Sequence, residues 1–438
     1  MSKQNQIATQ KRNADRPYDI IVWGSSGFTG ALVAEYLAKH TSPDTVRFAI
    51  AGRNKEKLAK VSARIAKVAP NRAGGPIPVI IATIDDAASL DAMVKQARVV
   101  ISTAGPFFQH GFELVEACVR NRTDYIDSTG EPPFVKKIID LHHDKATKDG
   151  TFIVPSCGFD SIPSDLGTFM LADHFAKKGQ KLASVKMSVV ELVGGPSGGT
   201  IASGLGILTE TPYREFWKML DPYYLCPADT AKGPDSSIPA FFNYNKDVGK
   251  WQTYFVMEST NTRYVRRSNA LLGNAYGPNF SYAETMASDN FLGAAAKTVG
   301  GGIFGAALML PPVQWLASWA ANKYIPAGSG PSDKEIETGH FTCKAVGETV
   351  AADGKPAKKA VATVKGIQDP GYGETSKMLA ESALVLALTP RAELASSGYG
   401  AFKDVKPAGG VVTAATAMGL HLVKRLRAAG MTFEVEDL

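Results

Sequence analysis

From Tyr18 onward, short wholly apolar runs alternate with longer segments whose apolar residues recur every three or four positions. Ile20, Ile21 and Val22 form a run with no polar face, as in a parallel strand buried on both sides. Leu32, Val33, Tyr36 and Leu37 then recur at helical spacing. The pattern repeats: VRFAIAGR predicts a strand, NKEKLAKVSARIAKVA an amphipathic helix, IPVIIATI a strand, AASLDAMVKQA a helix and RVVISTAG a fourth strand. GFELVEACVRN follows as a helix and DYIDSTGE as a strand with a polar end. TFIVPSCGFDSIPSDLG is a sixth strand entering a loop and helix. Such alternation predicts βαβ units and a Rossmann-type, doubly wound parallel sheet, an α/β fold.

Beyond about Lys181 the texture changes. KLASVKMSVVEL, KWQTYFVMES, ETGHFTCKAVGETV and KKAVATVKGIQ alternate polar and apolar residues, which predicts a second, α+β domain built on an antiparallel sheet. Asp353–Gly354 marks a hairpin turn between the last two. ETSKMLAESALVLALT and VVTAATAMGLHLVKRLRAAG read as closing helices. The expected division is a disordered tail over 1–17, a dinucleotide-binding domain over 18–165, a substrate or dimerisation domain over 166–400, and a C-terminal helix region over 401–438 able to pack back on the first domain.

A length of 438 residues exceeds what one hydrophobic core supports, in agreement with two domains. The net charge of +6 is mild and spread out, which argues against nucleic acid as a partner. The clusters Arg263/Arg266/Arg267 and Lys424/Arg425/Arg427 read as solvated faces. Four scattered cysteines suggest neither a disulfide framework nor a zinc site, and the histidines show no metal-ligand spacing, so no metal is expected and a cytoplasmic location fits. One stretch complicates this. Residues 298–322 carry no charge, and Ile303 to Leu310 and Val313 to Ala320 are apolar around the Pro311–Pro312 pair. Three readings stand: a buried or domain-packing helix pair, a hairpin at a membrane or lipid surface, or a transmembrane helix.

Gly24, Gly27 and Gly30 form G-x-x-G-x-x-G between a strand and a helix, the context of a diphosphate-binding turn. Gly24 permits the turn, Gly27 lets backbone approach the pyrophosphate, and Gly30 lets helix and strand pack closely. Ser25, Ser26 and Thr29 are candidate hydroxyl donors, with Phe28 between them at the helix start. The second strand ends in Arg53 where an NAD enzyme carries an acid, so the expected cofactor is NADPH, its 2′-phosphate paired with the guanidinium. Thr103, Ala104, Gly105 and Pro106, after the fourth strand, suit the nicotinamide half. Asp85 is placed to reach the adenine, although N-capping is the stronger reading for Asp85 and Asp86.

GSSGFTG, AGR, STAGPFFQHG, YIDSTGE, PSCGFDSIPSDLG, SGGT and DPGYGETSKMLAESAL together resemble the saccharopine dehydrogenase-like oxidoreductases. Branches of that family include lipid-droplet proteins and bacterial trans-acting enoyl reductases. The resemblance runs from about Tyr18 to the C-terminus and implies an NADPH-dependent oxidoreductase. Saccharopine reductases carry Cys-Gly-Leu-Asp-Pro-Gly where this chain has Cys157, Gly158, Phe159, Asp160, Ser161 and Ile162, and this departure puts saccharopine itself in doubt as substrate. The enoyl reductase branch implies an apolar acyl substrate, and the lipid-droplet branch a contact with droplets or membranes.

Hydride transfer also needs a proton donor where strands end. Tyr125, Asp127 and Glu131 lie after one strand, Cys157, Asp160, Ser161 and Asp165 after the next; Asp127 and Asp160 are the first choices for the acid. Cys157, with Ser197 and Thr200 of the glycine-rich GGPSGGTIASG, is a candidate for the substrate pocket, and a homodimer is an open expectation. Three functions remain: a reductase of a lipid-type acyl substrate, an amino-acid imine reductase, and a non-catalytic cofactor-binding scaffold at a lipid surface.

Overall fold

Strands are numbered in chain order. The first six are β1 (Tyr18–Trp23), β2 (Phe48–Gly52), β3 (Val79–Ile81), β4 (Ala97–Ser102), β5 (Asp124–Asp127) and β6 (Phe152–Val154). The next six are β7 (Leu182–Val193), β8 (Asn243–Asn245), β9 (Lys250–Thr253), β10 (Ser281–Ser288), β11 (His340–Thr349) and β12 (Lys359–Gly366); β13 (Gly410–Val411) and β14 (Thr432–Asp437) close the series. The computed structural model describes residues 16–438 except 71, 73–74, 196–203, 207–212, 236–241, 278, 325–329, 352–355 and 405–406.

The first sheet runs β13-β6-β5-β4-β1-β2-β3 and every pair in it is parallel. Because side chains alternate across a strand, its wholly apolar runs feed two cores. Ile20, Val22, Ile50, Val99, Ile101 and Ile126 enter one, with the helices Phe28–His40 and Thr375–Leu388. Ile21, Ala49, Val100, Tyr125 and Ile153 enter the other, with the helix Phe112–Arg120. This is the doubly wound arrangement expected. The strand order reverses between β1 and β4, and ligands of such sheets bind at the carboxyl ends beside that switch point.

The chain returns to this sheet late. Helix Thr375–Leu388, buried at every position but its last, lies on β1, β4 and β5 and on helix Phe28–His40. Tyr36 donates to Glu381 (2.7 Å), which also pairs with Arg425 (2.6 Å). β13 then extends the sheet beyond β6.

The second sheet runs β14-β12-β11-β7-β10-β9-β8. It is mixed rather than antiparallel throughout, because β7 and β10 pair in parallel while its other pairs are antiparallel. The long connection between them holds the helix Glu258–Leu271, which allows the chain to re-enter in the same direction. Helix Ile162–Ala176 covers one face, where Leu166 and Met170 share a core with Met187, Ala345, Ala362 and Val364. The Asp353–Gly354 turn signal lies outside the described residues.

Three sequence expectations are revised. Arg16, assigned to the tail, is buried and donates to Ala97 O, Thr123 Oγ1 and Asn121 O, tying the chain before β1 to the far end of the sheet. Arg263, Arg266 and Arg267 form no solvated face: all three are buried. A buried guanidinium costs several kcal/mol unless its N–H groups find acceptors. Here they donate to Met219 O, to Asp235 and Tyr282 O, and to Leu225 O and Val411 O, respectively. Burial holds the Arg267 guanidinium down to about 10. Finally, the apolar segment is no buried helix pair. Helices Phe291–Leu308 and Pro311–Tyr324 stand out from the second sheet, with Ala294 the buried residue of the first.

Candidate functional site

The carboxyl ends of β1, β2, β4, β5 and β6 meet at one edge of the parallel sheet. Gly24 follows β1 with φ +82, a conformation that disfavours any side chain, and its amide donates to Ala51 O (3.0 Å) on β2. Gly27 is the N-cap of helix Phe28–His40. No side chain caps this helix and no acid lies in its first turn, so its leading amides and partial positive charge are open to an anion. Gly30 is sterically compulsory: a Cβ there would stand 2.6 Å from both Gly24 O and Thr103 Oγ1. Thr103 donates its amide and its hydroxyl to Trp23 O (3.0 Å each), locking the end of β4 onto β1.

The hydroxyl candidates divide. Ser25 turns inward and donates to Val22 O (2.6 Å), so it shapes the turn rather than facing a ligand. Ser26 is exposed and Thr29 half-buried on the open side. Ser26 Oγ lies 3.9 Å from where a Cβ of Gly52 would stand, which brings the glycine turn beside the end of β2 and the exposed Arg53. Arg53 makes no hydrogen bond or ion pair among the described residues, and Asn54 caps the next helix by accepting from Lys57 N (2.9 Å). Asp86 caps helix Ala87–Val94, while the exposed Asp85 accepts from Thr83 Oγ1 (3.4 Å). The sequence reading gave capping to both aspartates; it falls to Asp86.

Ala104 and Pro106 are half-buried and Gly105 is exposed, on a loop clamped from β5. The buried Glu131 carboxylate accepts from Phe107 N (3.0 Å) and Phe108 N (2.8 Å). Asp127 is fully buried, and its Oδ1 accepts from Thr129 N and Ser156 N (2.9 Å each). It therefore ties the loops after β5 and β6 together, and its expected role as acid would have to be played from this enclosed position. Burial pushes its carboxyl up to about 7. Ser156, held at φ +60, is braced by Tyr264 (2.5 Å). Cys157, expected at the substrate pocket, is likewise fully buried, with its thiol directed at Val154 O (3.4 Å). Asp165 accepts from Ser268 Oγ (2.5 Å) and Ala415 N (2.8 Å), a structural pairing.

Asp160 differs from these carboxylates. It is half-buried, makes no hydrogen bond or ion pair among the described residues, and burial alone pushes its carboxyl up to about 6. Its Oδ2 lies 3.2 Å, and Met257 Cε 3.7 Å, from the position a Cβ on Gly130 would take. Gly130 precedes the Glu131 that clamps the Gly105 loop, so Asp160 shares an edge of the sheet with that loop.

The segment DPGYGETS, from the other end of the chain, braces both halves of this edge. Tyr372 packs edge-on against Phe28 (4.8 Å), and Gly330 sits on the same ring. Thr375 Oγ1 accepts from Phe159 N (3.1 Å) next to Asp160. These contacts were not anticipated; the signal available was that both blocks carried the family resemblance. Gly194 and Gly195 lie against Asp369 and Gly371, but Ser197 and Thr200 fall outside the described residues. Among the described residues no group of His, Cys, Asp and Glu is placed to hold a metal ion.

Residues 20–154 match the saccharopine dehydrogenase NADP binding domain. A Mycobacterium tuberculosis protein provisionally named a trans-acting enoyl reductase is 36% identical over 436 residues, covering 97% of this chain and 98% of that protein. The trans-acting enoyl reductase of Mycobacterium ulcerans is 33% identical, covering 97% of this chain and 99% of its own. The solved saccharopine dehydrogenase (L-Glu forming) of Saccharomyces cerevisiae superposes with a TM-score of 0.53 at 12% identity, covering 96% of this chain and 100% of that one, a likeness of fold. The chain belongs to the saccharopine dehydrogenase-like oxidoreductase family and carries that family's NADP-binding domain.

Proposed function

We propose that the chain is an NADPH-dependent reductase of a lipid-type acyl substrate, saturating a carbon–carbon double bond conjugated to a carbonyl. The observation that carries this reading is Asp160, a partly accessible carboxyl with no partner among the described residues, whose affinity for a proton is raised by burial, at the carboxyl edge of the parallel sheet. The names of the relatives that match along nearly their whole length support the substrate class.

Bound NADPH supplies the hydride. The amides at the start of helix Phe28–His40 would hold its diphosphate, Arg53 would take the 2′-phosphate, and the loop Thr103–Pro106 would border the rest of the cofactor. Asp160 would donate its proton to the carbon next to the carbonyl, balancing the hydride that the cofactor would supply to the carbon beyond. Its exposed side then recovers a proton from water. Asp127, Glu131 and Thr375 position the loops around it. An amino-acid substrate would require cations for its carboxylates, and Arg263, Arg266 and Arg267 are committed to carbonyls and Asp235.

The test uses purified protein, NADPH and a long-chain α,β-unsaturated acyl thioester, following NADPH absorbance and the saturated product. Asp160→Asn should lower kcat by roughly 10²–10⁴ with NADPH affinity unchanged. In the unsubstituted protein the rate should fall as pH rises through about 6, where Asp160 gives up its proton, and the variant should lack that limb. Full activity in the variant removes Asp160 from the chemistry. Saturable NADPH binding without turnover on any unsaturated acyl thioester overturns the enzymatic reading in favour of a scaffold.

A further inference from the structure

We infer that the hairpin of helices Phe291–Leu308 and Pro311–Tyr324 inserts into one leaflet of an anionic lipid surface and seats the Asp160 cleft beside it. This rests on the reading of that cleft as a site for an acyl substrate.

Among the described residues the hairpin is held at its base. Thr298 and Thr253 share a hydroxyl hydrogen bond (2.7 Å), and Phe291 packs on Trp251 (5.2 Å) and Phe242 (5.3 Å). Past that level every residue from Val299 to Ala306 is exposed, while on the second helix Trp315, Leu316 and Trp319 are exposed and Val313, Gln314, Ala317 and Ser318 are half-buried. Ile303 and Phe304 are 66% and 63% exposed, and Trp315 and Leu316 are 70% and 54% exposed. Neighbouring positions on a helix point about 100° apart. A protein partner covers one stripe; exposure on every side of the first helix's outer turns, with Trp315, Leu316 and Trp319 open on the second, calls for an apolar solvent.

Dimensions and charge select the same occupant. Val299 to Leu308 extends about 15 Å at 1.5 Å per residue, the depth of one leaflet's hydrocarbon, about half of 30 Å. The charged residues of the hairpin are Lys297 and Lys323, both near its base, while the tip around Met309–Pro312 has none. Two cations bordering an uncharged tip suit anionic headgroups over acyl chains. The nearby Asp289 is paired with Lys250. Gly300, Gly301, Gly302 and Gly305 have open space where a Cβ would stand, so no close packing explains them. In water each weakens the helix by about 1 kcal/mol relative to Ala, whereas hydrocarbon compels the backbone to bond to itself.

The hairpin base is tied to the site through a short stretch of chain. Thr253, which holds Thr298, is four residues from Met257, the neighbour of Gly130 and Asp160. Four extended residues span at most about 14 Å. A leaflet around the hairpin would present its acyl chains close to the cleft.

The experiment is flotation of the full chain with phosphatidylcholine vesicles, with and without phosphatidylglycerol, alongside NADPH titration of each preparation. The unsubstituted chain should float, more so with phosphatidylglycerol. Ile303→Asp with Phe304→Asp, at positions the fold leaves open, should cut binding at least about tenfold. Lys297→Gln with Lys323→Gln should reduce it about tenfold on the anionic vesicles and little on neutral ones. The unsubstituted chain staying in the vesicle-free fraction overturns insertion, as does the aspartate variant floating equally. A dimer in buffer that the same aspartates disperse, without vesicle binding, assigns the surface to a second copy and also overturns it. Saturable NADPH binding in those preparations leaves the reductase reading standing; its absence strikes that reading instead.

Discussion

Gly30 and Gly302 are the same residue in opposite circumstances. At Gly30 an added Cβ would be 2.6 Å from two atoms; at Gly302 it would meet nothing within 4 Å. The cofactor turn uses glycine because backbone, helix and β4 converge there, so the missing side chain is the packing. The hairpin's glycines meet nothing among the described residues, which is the setting the proposed lipid contact would use. Glycine-rich sequence therefore has no single meaning, and the environment decides it.

That contrast can be broken or sharpened by substitution. Gly30→Ala should abolish measurable NADPH binding, at least about a hundredfold, and lower the melting temperature, because overpacking typically costs about 1–3 kcal/mol and here displaces the turn itself. Retained binding in a fluorescence titration would show that the turn yields. Arg53→Ala is gentler, since it leaves the diphosphate cradle intact. It should weaken NADPH by about tenfold to a hundredfold, the range of a charge-assisted contact of about 1.5–3 kcal/mol, with NADH hardly affected. Equal losses for both cofactors would move the 2′-phosphate contact elsewhere. Gly302→Ala should change least: melting within about 1 kcal/mol of the original, on the stabilising side, and NADPH affinity unaltered. A large destabilisation there would reveal a packed surface.

Much of the parallel sheet was legible because its strands are buried on both faces. A run such as Ile20–Val22 has few other uses, and the glycines follow it at fixed spacing. The place of Arg53 was legible because an apolar run ends just before it. Arg263, Arg266 and Arg267 were misread because their acceptors, at residues 219, 225, 282 and 411, are remote in sequence; a cationic cluster looks alike whether its partner is water or carbonyl oxygen. Asp127 and Asp160 were equivalent as letters at strand ends. Only the fold shows that the first is enclosed by amides and the second is left partly open. The parallel pairing of β7 with β10 escaped notice because alternation along a strand does not encode its neighbour's direction.

The late return of helix Thr375–Leu388 and β13 to the first sheet has a consequence for biosynthesis. When the ribosome has completed the NADP-binding segment, the helix that will cover β1, β4 and β5 has not yet been made. The nascent chain must carry this apolar sheet face, covered only in part by helix Phe28–His40, through more than half of its translation. Contacts so distant in sequence close slowly, so this protein should depend on chaperone shelter during synthesis and yield aggregates when residues 20–154 are expressed by themselves.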